Sequence, residues 1–366
     1  MNNSKLVKKK SQKRGKHYPF KFTNATKAKS QLGGGFFGKI YLMTNAVDKQ
    51  EYAVKHINIK KIQTILTLLK ARPIPRSQTI DFIFNEAKTL AKLNHPNIVR
   101  YYNTRYTREI IYISLEVARG GNLETAIEKK KFFQKPNIIY SIAIQVASGL
   151  SYIHSQNMLH RDIKASNILL LTDEDEIPQI KLGDFGLSCL MDGTKYQQTK
   201  NQTGQGDMFY RSPEAATGQE YDKGDDNWAL GVVLLELISG VILSGCVNGD
   251  IFSQYQNFDD YVEQIIEDHC FPCDNGSYYS RLAMITKNLL NKNPVERITC
   301  DKIVTLDKHF LPCLSVKKRS RTFDFDGRCK SIEPTAPKFN LNEKIAFLPA
   351  LDPLLKNTNT NRPHSV

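Results

Sequence analysis

Between residues 30 and 118, apolar and β-branched positions come in short runs with a two-residue rhythm. YLMTNAVDKQEYAVKHINI (41–59) predicts strand, turn, strand, with the turn at Ala46–Gln50. KIQTILTLLKARPIPRS follows, with Ile62, Ile65, Leu66 and Leu69 at helical spacing until Pro73 and Pro75 break it. DFIFNEAKTLAKLNH predicts a second helix, with Phe82, Leu90 and Leu93 on one side, Glu86 close to them, and His95-Pro96 as its stop. NIVRYYNT and EIIYISLEV predict two more strands. After Gly120-Gly121 the period lengthens. Residues 136–155 open on Pro136 at a first-turn position and carry Ile139, Ile142, Val146, Leu150 and Ile153 on one face. DNWALGVVLLELISG is apolar nearly all round, which predicts a central, buried helix. The chain therefore divides near residue 118 into a β-rich part and an α-rich part.

Composition is that of a globular protein, with 40% hydrophobic and 24% charged residues in 366, and 18 Phe and 16 Tyr to fill a core. The net charge of +14 is the figure that could mislead. Residues 1–29 carry ten Lys or Arg and no acid, and 311–366 carry ten basic against five acidic residues, so 30–310 stands at −1. The basic character belongs to the flanks, where it suits importin, RNA or anionic-membrane contact, and it does not describe the body. Residues 1–29 have no hydrophobic period and are expected to be disordered. The segment 311–366 has one apolar island, IAFLPALDPLL, suited to docking on the body or on a partner. Seven cysteines, an odd count with no secretory signal, are expected to be reduced thiols in the cytoplasm or nucleus. Cys270 and Cys273 form a lone CxxC without the second pair that a zinc site needs. No apolar run is long enough for a membrane span.

Six short stretches carry candidate chemistry. LGGGFFGKIYL places Gly33, Gly35 and Gly38 in a G-x-G-x-x-G spacing. The alternation that follows (Ile40, Leu42) predicts a strand where a dinucleotide fold requires a helix, so the glycines fit a flap over a triphosphate, or a plain glycine hairpin. YAVKHI puts Lys55 on the next strand among apolar residues, which is costly unless the ammonium is paired, and Glu86 is its candidate partner. LHRDIKASNIL crowds polar side chains before an apolar run: Asp162 could accept a hydroxyl proton, Lys164 neutralise phosphate and Asn167 offer a metal an oxygen. His160 is expected to be structural, beneath that loop. KLGDFGLS supplies Asp184, a hard oxygen ligand, beside Phe185, which can pack inward, and Gly186, which lets the backbone turn. In FYRSPEA and NKNPVERIT, Glu214 and Arg297 could form a buried pair, and Asp226 is placed to hold the loop's backbone from below.

In this order, the set resembles the eukaryotic protein kinases of serine/threonine type over residues 30–310. The resemblance implies an α+β fold of two lobes, a small β-rich one at 30–118 and a larger helical one at 119–310, between a tail at 1–29 and an extension at 311–366. It implies ATP and Mg²⁺ in the cleft, a protein substrate, Asp162 as base with Lys164 beside it, and Asn167 and Asp184 as metal ligands. Leu32, Gly33, Gly35, Gly38, Ile40, Ala53, Lys55, Glu86, Glu116, Ala118 and Leu169 would surround the nucleotide, the hinge being Glu116–Ala118. Three branches stay open, one of them the remaining serine/threonine kinases. LNHPNIVRYYNT, NAVDKQEYAVKHI and YRSPEA are similar to the kinases of the translation initiation factor 2 alpha subunit. Gly206-Asp207, where a Gly-Thr is common, resembles the Wee-type kinases that inhibit cyclin-dependent kinases. Asp207 could meet Lys164, at the cost of added negative charge beside Asp162. Asn122 stands where an acidic ribose contact is common. A binding scaffold on the same fold is the rival reading, and the completeness of Lys55, Glu86, Asp162, Asn167 and Asp184 argues against it. Thr194, Thr199 and Thr203 are candidate phosphorylation sites whose phosphate could pair with Arg161. Oligomeric state is not legible.

Overall fold

The computed structural model describes residues 31–35, 38–172, 176–187, 189–190, 207–219, 222–245, 257–269 and 278–310. The basic tail, the C-terminal extension, Cys270 and Cys273, and the three candidate threonines lie outside them.

The smaller lobe is an antiparallel sheet of β1 (Gln31–Gly35), β2 (Gly38–Thr44), β3 (Glu51–Asn58), β4 (Tyr101–Tyr106) and β5 (Ile110–Leu115), in the spatial order β1-β2-β3-β5-β4. Alternation sends Ile57, Ile111 and Ile113 inward, none more than 1% exposed. The glycine-rich stretch is a hairpin, Gly35 opposite Gly38, with a strand after it as the pattern predicts. Two helices cover the sheet. α1 (Ile59–Leu69) starts on Asn58, whose side chain accepts from the Lys61 N–H, and buries Ile62 and Leu66. α2 (Arg76–Lys92) begins directly after Pro75, five residues before the stretch DFIFNEAKTLAKLNH that predicted it.

One predicted strand is divided. NIVRYYNT enters the sheet only at Tyr101. Its first half pairs elsewhere: the Val99 N–H donates to the Leu182 carbonyl at 2.9 Å and the Leu182 N–H to the Asn97 carbonyl at 2.8 Å. The apolar Ile98 and Val99 are equally suited to either sheet, and the route of the chain back from α2 decides the matter in favour of the larger lobe.

The larger lobe holds α3 (Leu123–Glu128), α4 (Pro136–Ser155), β6 (Met158–Leu159), β7 (Ile168–Leu170), β8 (Ile180–Leu182), β9 (Cys189–Leu190), α5 (Pro213–Ala216), α6 (Lys223–Ser239), α7 (Phe258–His269), α8 (Tyr278–Leu289) and α9 (Cys300–Phe310). β6 pairs with β9 and β7 with β8. α4 matches the predicted span from its N-terminal proline onward. α6 is buried from Gly224 to Ile238, as an all-round apolar helix must be, and ends on Gly240 in the left-handed region at φ 68°. Trp228 on α6 stacks on Phe258, ring centroids 5.2 Å apart, and the Arg297 guanidinium sits 5.1 Å from the indole centroid. Arg297 also grips Glu214 with two bonds of 2.6 and 3.0 Å, the pair that the two distant motifs predicted.

The first turn of α6 sets the height of the loop above it. Asp226, 2% exposed, accepts from the His160 N–H at 2.9 Å, the Arg161 N–H at 2.8 Å and His154 Nε2 at 2.8 Å. Burial works against its charge. The His154 bond and the loop amide nonetheless hold its pKa below the usual carboxylate value. A carboxylate depressed in the folded state stabilises it fully above the unfolded pKa of about 3.9 and ceases to as pH falls through the folded value. Asp226→Asn is therefore expected to lower Tm by roughly 5–10 °C at pH 6–7. The gap from wild type should close below about pH 4. Thermal melts from pH 3 to 7 test this, and a gap constant down to pH 3 contradicts it.

Candidate active site

The two lobes enclose one cleft of about 680 Å³. Leu32, Gly33, Gly34 and Ile40 of the hairpin and Ala53 of β3 form its roof; Glu116, Ala118 and Asn122 lie along the segment that connects the lobes; Leu169 lies on its floor. Leu66, Phe82 and Val99, which no motif singled out, also line it. Phe82 stands one helical turn before Glu86, and that spacing was the available signal.

The hairpin glycines divide by task. Gly33 and Gly34 face the cleft, and Gly38 does not. A Cβ at Gly38 would lie 2.4 Å from the His56 carbonyl oxygen, so this glycine lets β2 approach β3. Gly35 closes the hairpin opposite it.

Lys55 is 5% exposed, and two carboxylates compensate its charge. Its Nζ lies 2.7 Å from Glu86 Oε1 on α2 and 2.9 Å from Asp184 Oδ1 after β8. Burial alone would favour the neutral amine. Asp184 and Glu86 overcome it, and the pKa of Lys55 ends above its ordinary value. Asp184 is correspondingly held below the carboxylate range, by Lys55 against its burial. The ammonium thus joins a helix of the small lobe to a loop of the large one.

The polar loop is organised from beneath. His160 is fully buried, its Nε2 3.1 Å from the Gly183 carbonyl and its ring 4.6 Å from Phe185, itself 0% exposed. Burial lowers the pKa of His160, so the neutral ring donates through Nε2 and presents Nδ1 to the Asp162 N–H at 3.4 Å. Both expectations, a structural His160 and an inward Phe185, hold. Arg161 and Asp184 sit at φ 69° and 53°, a left-handed strain that clusters at working sites.

Asp162 and Asn167 face each other across the loop. Asn167 Nδ2 donates to the Asp162 carbonyl and to Asp162 Oδ2, both at 2.8 Å. Lys164 Nζ lies 3.2 Å from Asp162 Oδ1, which accepts no hydrogen bond. One carboxylate oxygen is therefore pinned and the other is left for a donor. Because Asn167 directs its amide nitrogen at Asp162, its oxygen is the atom it can offer a cation. Asp184 adds a hard carboxylate on the same cleft, and this donor set fits Mg²⁺ completed by phosphate and water.

Three readings need adjustment. The Glu116 carboxylate is engaged by Lys181 Nζ at 3.0 Å and the Arg100 N–H at 3.1 Å, so its main chain is what faces the cleft. Asp207 lines the cleft, but its carboxylate accepts from the Phe209 N–H at 3.2 Å and caps the next turn, while the ion pair of Lys164 is with Asp162. Asn122 both lines the cleft and caps α3, accepting from the Thr125 N–H at 2.9 Å. Asp225 was not anticipated: it binds Arg211 at 2.6 Å.

The profile of the protein kinase domain matches residues 26–308. Among similar proteins are the MAP kinase kinase kinase wis4 of Schizosaccharomyces pombe, 35% identical over 56% of this chain and 14% of its own length, and the serine/threonine-protein kinase Nek1 of Mus musculus, 31% identical over 77% of this chain and 21% of its own. The CBL-interacting protein kinase 26 of Oryza sativa subsp. japonica is 32% identical over 58% and 39%. The chain thus spans well under half the length of these relatives. With the two-lobed fold and the cleft both in place, the chain belongs to the protein kinase domain family.

Proposed function

We propose that the protein is an ATP-dependent serine/threonine kinase. The observation that carries this is the joint presence, on the same cleft, of a paired Lys55 and an Asp162 whose Oδ1 accepts no hydrogen bond and lies 3.2 Å from the Lys164 ammonium. ATP lies under the β1–β2 hairpin, with its base between Ala53 and Leu169 and against the backbone of Glu116 and Ala118. Lys55 grips its phosphates, and Glu86 keeps the ammonium in place. Asn167 and Asp184 would hold Mg²⁺, which would neutralise phosphate charge when bound. Asp162 accepts the proton of a Ser or Thr hydroxyl. The hydroxyl oxygen bonds to the γ-phosphorus as the bond to the β–γ bridging oxygen breaks, and ADP leaves with that electron pair. Lys164, beside Asp162, meets the charge of the transferring group.

For the acceptor, we propose the alpha subunit of translation initiation factor 2, on the strength of the stretches around Lys55, Asn97 and Glu214. Asp207, preceded by Gly206, favours a cyclin-dependent kinase as the second candidate. The relatives carry MAP kinase kinase kinase and Nek names, which support the serine/threonine class without deciding between these substrates. We assign the basic tails to importin or RNA contact, with a cytoplasmic or nuclear location. Among the described residues no helix is long and apolar enough to cross a membrane.

Three measurements test this. Asp162→Asn should reduce kcat by about 10²–10⁴ with the KM for ATP little changed. Equal transfer by wild type and variant in a radiolabelled phosphate assay removes Asp162 from the base role. Lys55→Met should instead abolish detectable transfer and weaken nucleotide binding in calorimetry; undiminished binding contradicts the phosphate grip. Offering the purified enzyme both candidate acceptors and sequencing the phosphorylated residue decides the substrate, and a phosphotyrosine in either would overturn the serine/threonine class.

A further inference from the structure

Between β3, which carries Lys55, and α2, which carries Glu86, the chain builds a helix. α1 opens directly after Asn58 and closes at Leu69. Its buried positions, Ile59, Ile62 and Leu66, follow helical spacing down one side, while Lys60, Lys61 and Thr64 are exposed. That stripe shares a core with Ile74 and with Ile80, Ile83 and Phe84 of α2. Both ends of α1 are tied. The Ile59 N–H donates to the Glu109 carbonyl, in the turn between β4 and β5, at 2.9 Å. Towards the other end, Gln63 Nε2 donates to the Ile74 carbonyl at 2.8 Å, and the Ile74 N–H donates to Thr67 Oγ1 at 3.3 Å. Ile74 stands two residues before α2 and is 4% exposed. α2 starts after Pro75 with no side-chain cap, and its first residue, Arg76, donates to the Arg108 carbonyl in that same turn. The turn, α1 and the entry to α2 thus close a triangle, and one side of it is 11 residues of helix, a stiff strut of about 16 Å.

This triangle reaches the cleft. Leu66 lines it together with Phe82 and Glu86. Phe82 and Glu86 are one turn apart on α2, so the side of α2 that shares the cleft with Leu66 is the side that meets Lys55. A slide or tilt of α2 would lengthen the 2.7 Å contact between Glu86 and Lys55 Nζ. An ion pair is a weak means of holding a helix in place, since the desolvation of two charges offsets its gain. The apolar stripe of α1 and its two bonds to Ile74 supply what the ion pair does not, and they come from the chain's own residues 59–75.

We propose that α1 is a built-in brace for α2, with Leu66 and Gln63 as positioning residues that set Glu86 against Lys55 before nucleotide arrives. The proposal rests on the kinase reading above, because its effect on catalysis passes through the hold of Lys55 on phosphate. Its test uses the full chain with Leu66→Ala and with Gln63→Leu, which removes the bond to Ile74 and keeps the bulk of the side chain. Each is made in wild type and in a Glu86→Gln background. In wild type each should raise the KM for ATP about tenfold, and by a like factor the Kd of a non-hydrolysable ATP analogue with Mg²⁺ in calorimetry. In the Glu86→Gln background the same substitutions should change both by less than about twofold, since the pair they position is already gone. An equal loss in both backgrounds overturns the proposal, because Leu66 then meets the nucleotide directly or supports the fold at large. Unchanged nucleotide affinity in wild type overturns it too. If Leu66→Ala does not fold, Gln63→Leu decides alone. If wild type itself transfers no phosphate, the kinase reading fails on its own account, and hydrogen exchange then decides the brace. In the nucleotide-free protein, Gln63→Leu should cost protection at the α2 amides of residues 79–86 and leave those of α4 unchanged. Fully protected α2 amides in that variant refute the brace.

Discussion

A buried ammonium cannot stay charged without compensation, and in this protein the compensation comes from two lobes at once. Lys55 stands on β3, Glu86 on α2 and Asp184 after β8, and the contacts of 2.7 and 2.9 Å require all three to be in register. The sheet, the helix above it and the loop below cannot move independently while that cluster is intact. The neighbouring hydrogen bonds of Asn97 and Val99 with Leu182 add a second link between the lobes, next to the cleft. The cleft is defined by these links as much as by its walls.

Beneath the cleft, α6 acts as the common reference. It is apolar enough to be buried for almost its whole length, and it brings charges into the core only where they meet backbone or a partner. Asp226 holds the polar loop, Asp225 the segment beside it, and Glu236 the Tyr210 hydroxyl. The neutral, buried His160 completes the support by linking the loop to Gly183 and Phe185, and hence to Asp184. Asp162, Asn167 and Asp184 are presented by short irregular backbone, two points of which are strained, and such backbone keeps its shape because its surroundings impose it.

Much of this was legible along the chain because the partners lie in stretches that are recognisable on their own. Lys55 with Glu86, Glu214 with Arg297, and Asp226 beneath the loop could each be proposed from residue type and order. The pairs that escaped, Arg211 with Asp225 and Lys181 with Glu116, join residues whose types are common on any surface, and only folding shows that they are buried together. For a related reason, spacing identifies Gly38 but not which neighbour forbids its side chain, and here that neighbour is the His56 carbonyl. Asp207 accepts from the N–H of Phe209, two residues on, and Lys164 is paired with Asp162. The division of NIVRYYNT depended on the path of the chain, which periodicity does not contain.

The central claim is that the Lys55 cluster and the Asp162 loop converge on the terminal phosphate of a single nucleotide. A crystal structure with a non-hydrolysable ATP analogue and Mn²⁺, read by anomalous scattering, tests this most directly. The account predicts a metal peak at the side-chain oxygens of Asn167 and Asp184, with the phosphates against Lys55 and the γ-phosphate next to Asp162. A nucleotide bound elsewhere, or a metal peak away from both side chains with Lys55 turned from the phosphates, would contradict it.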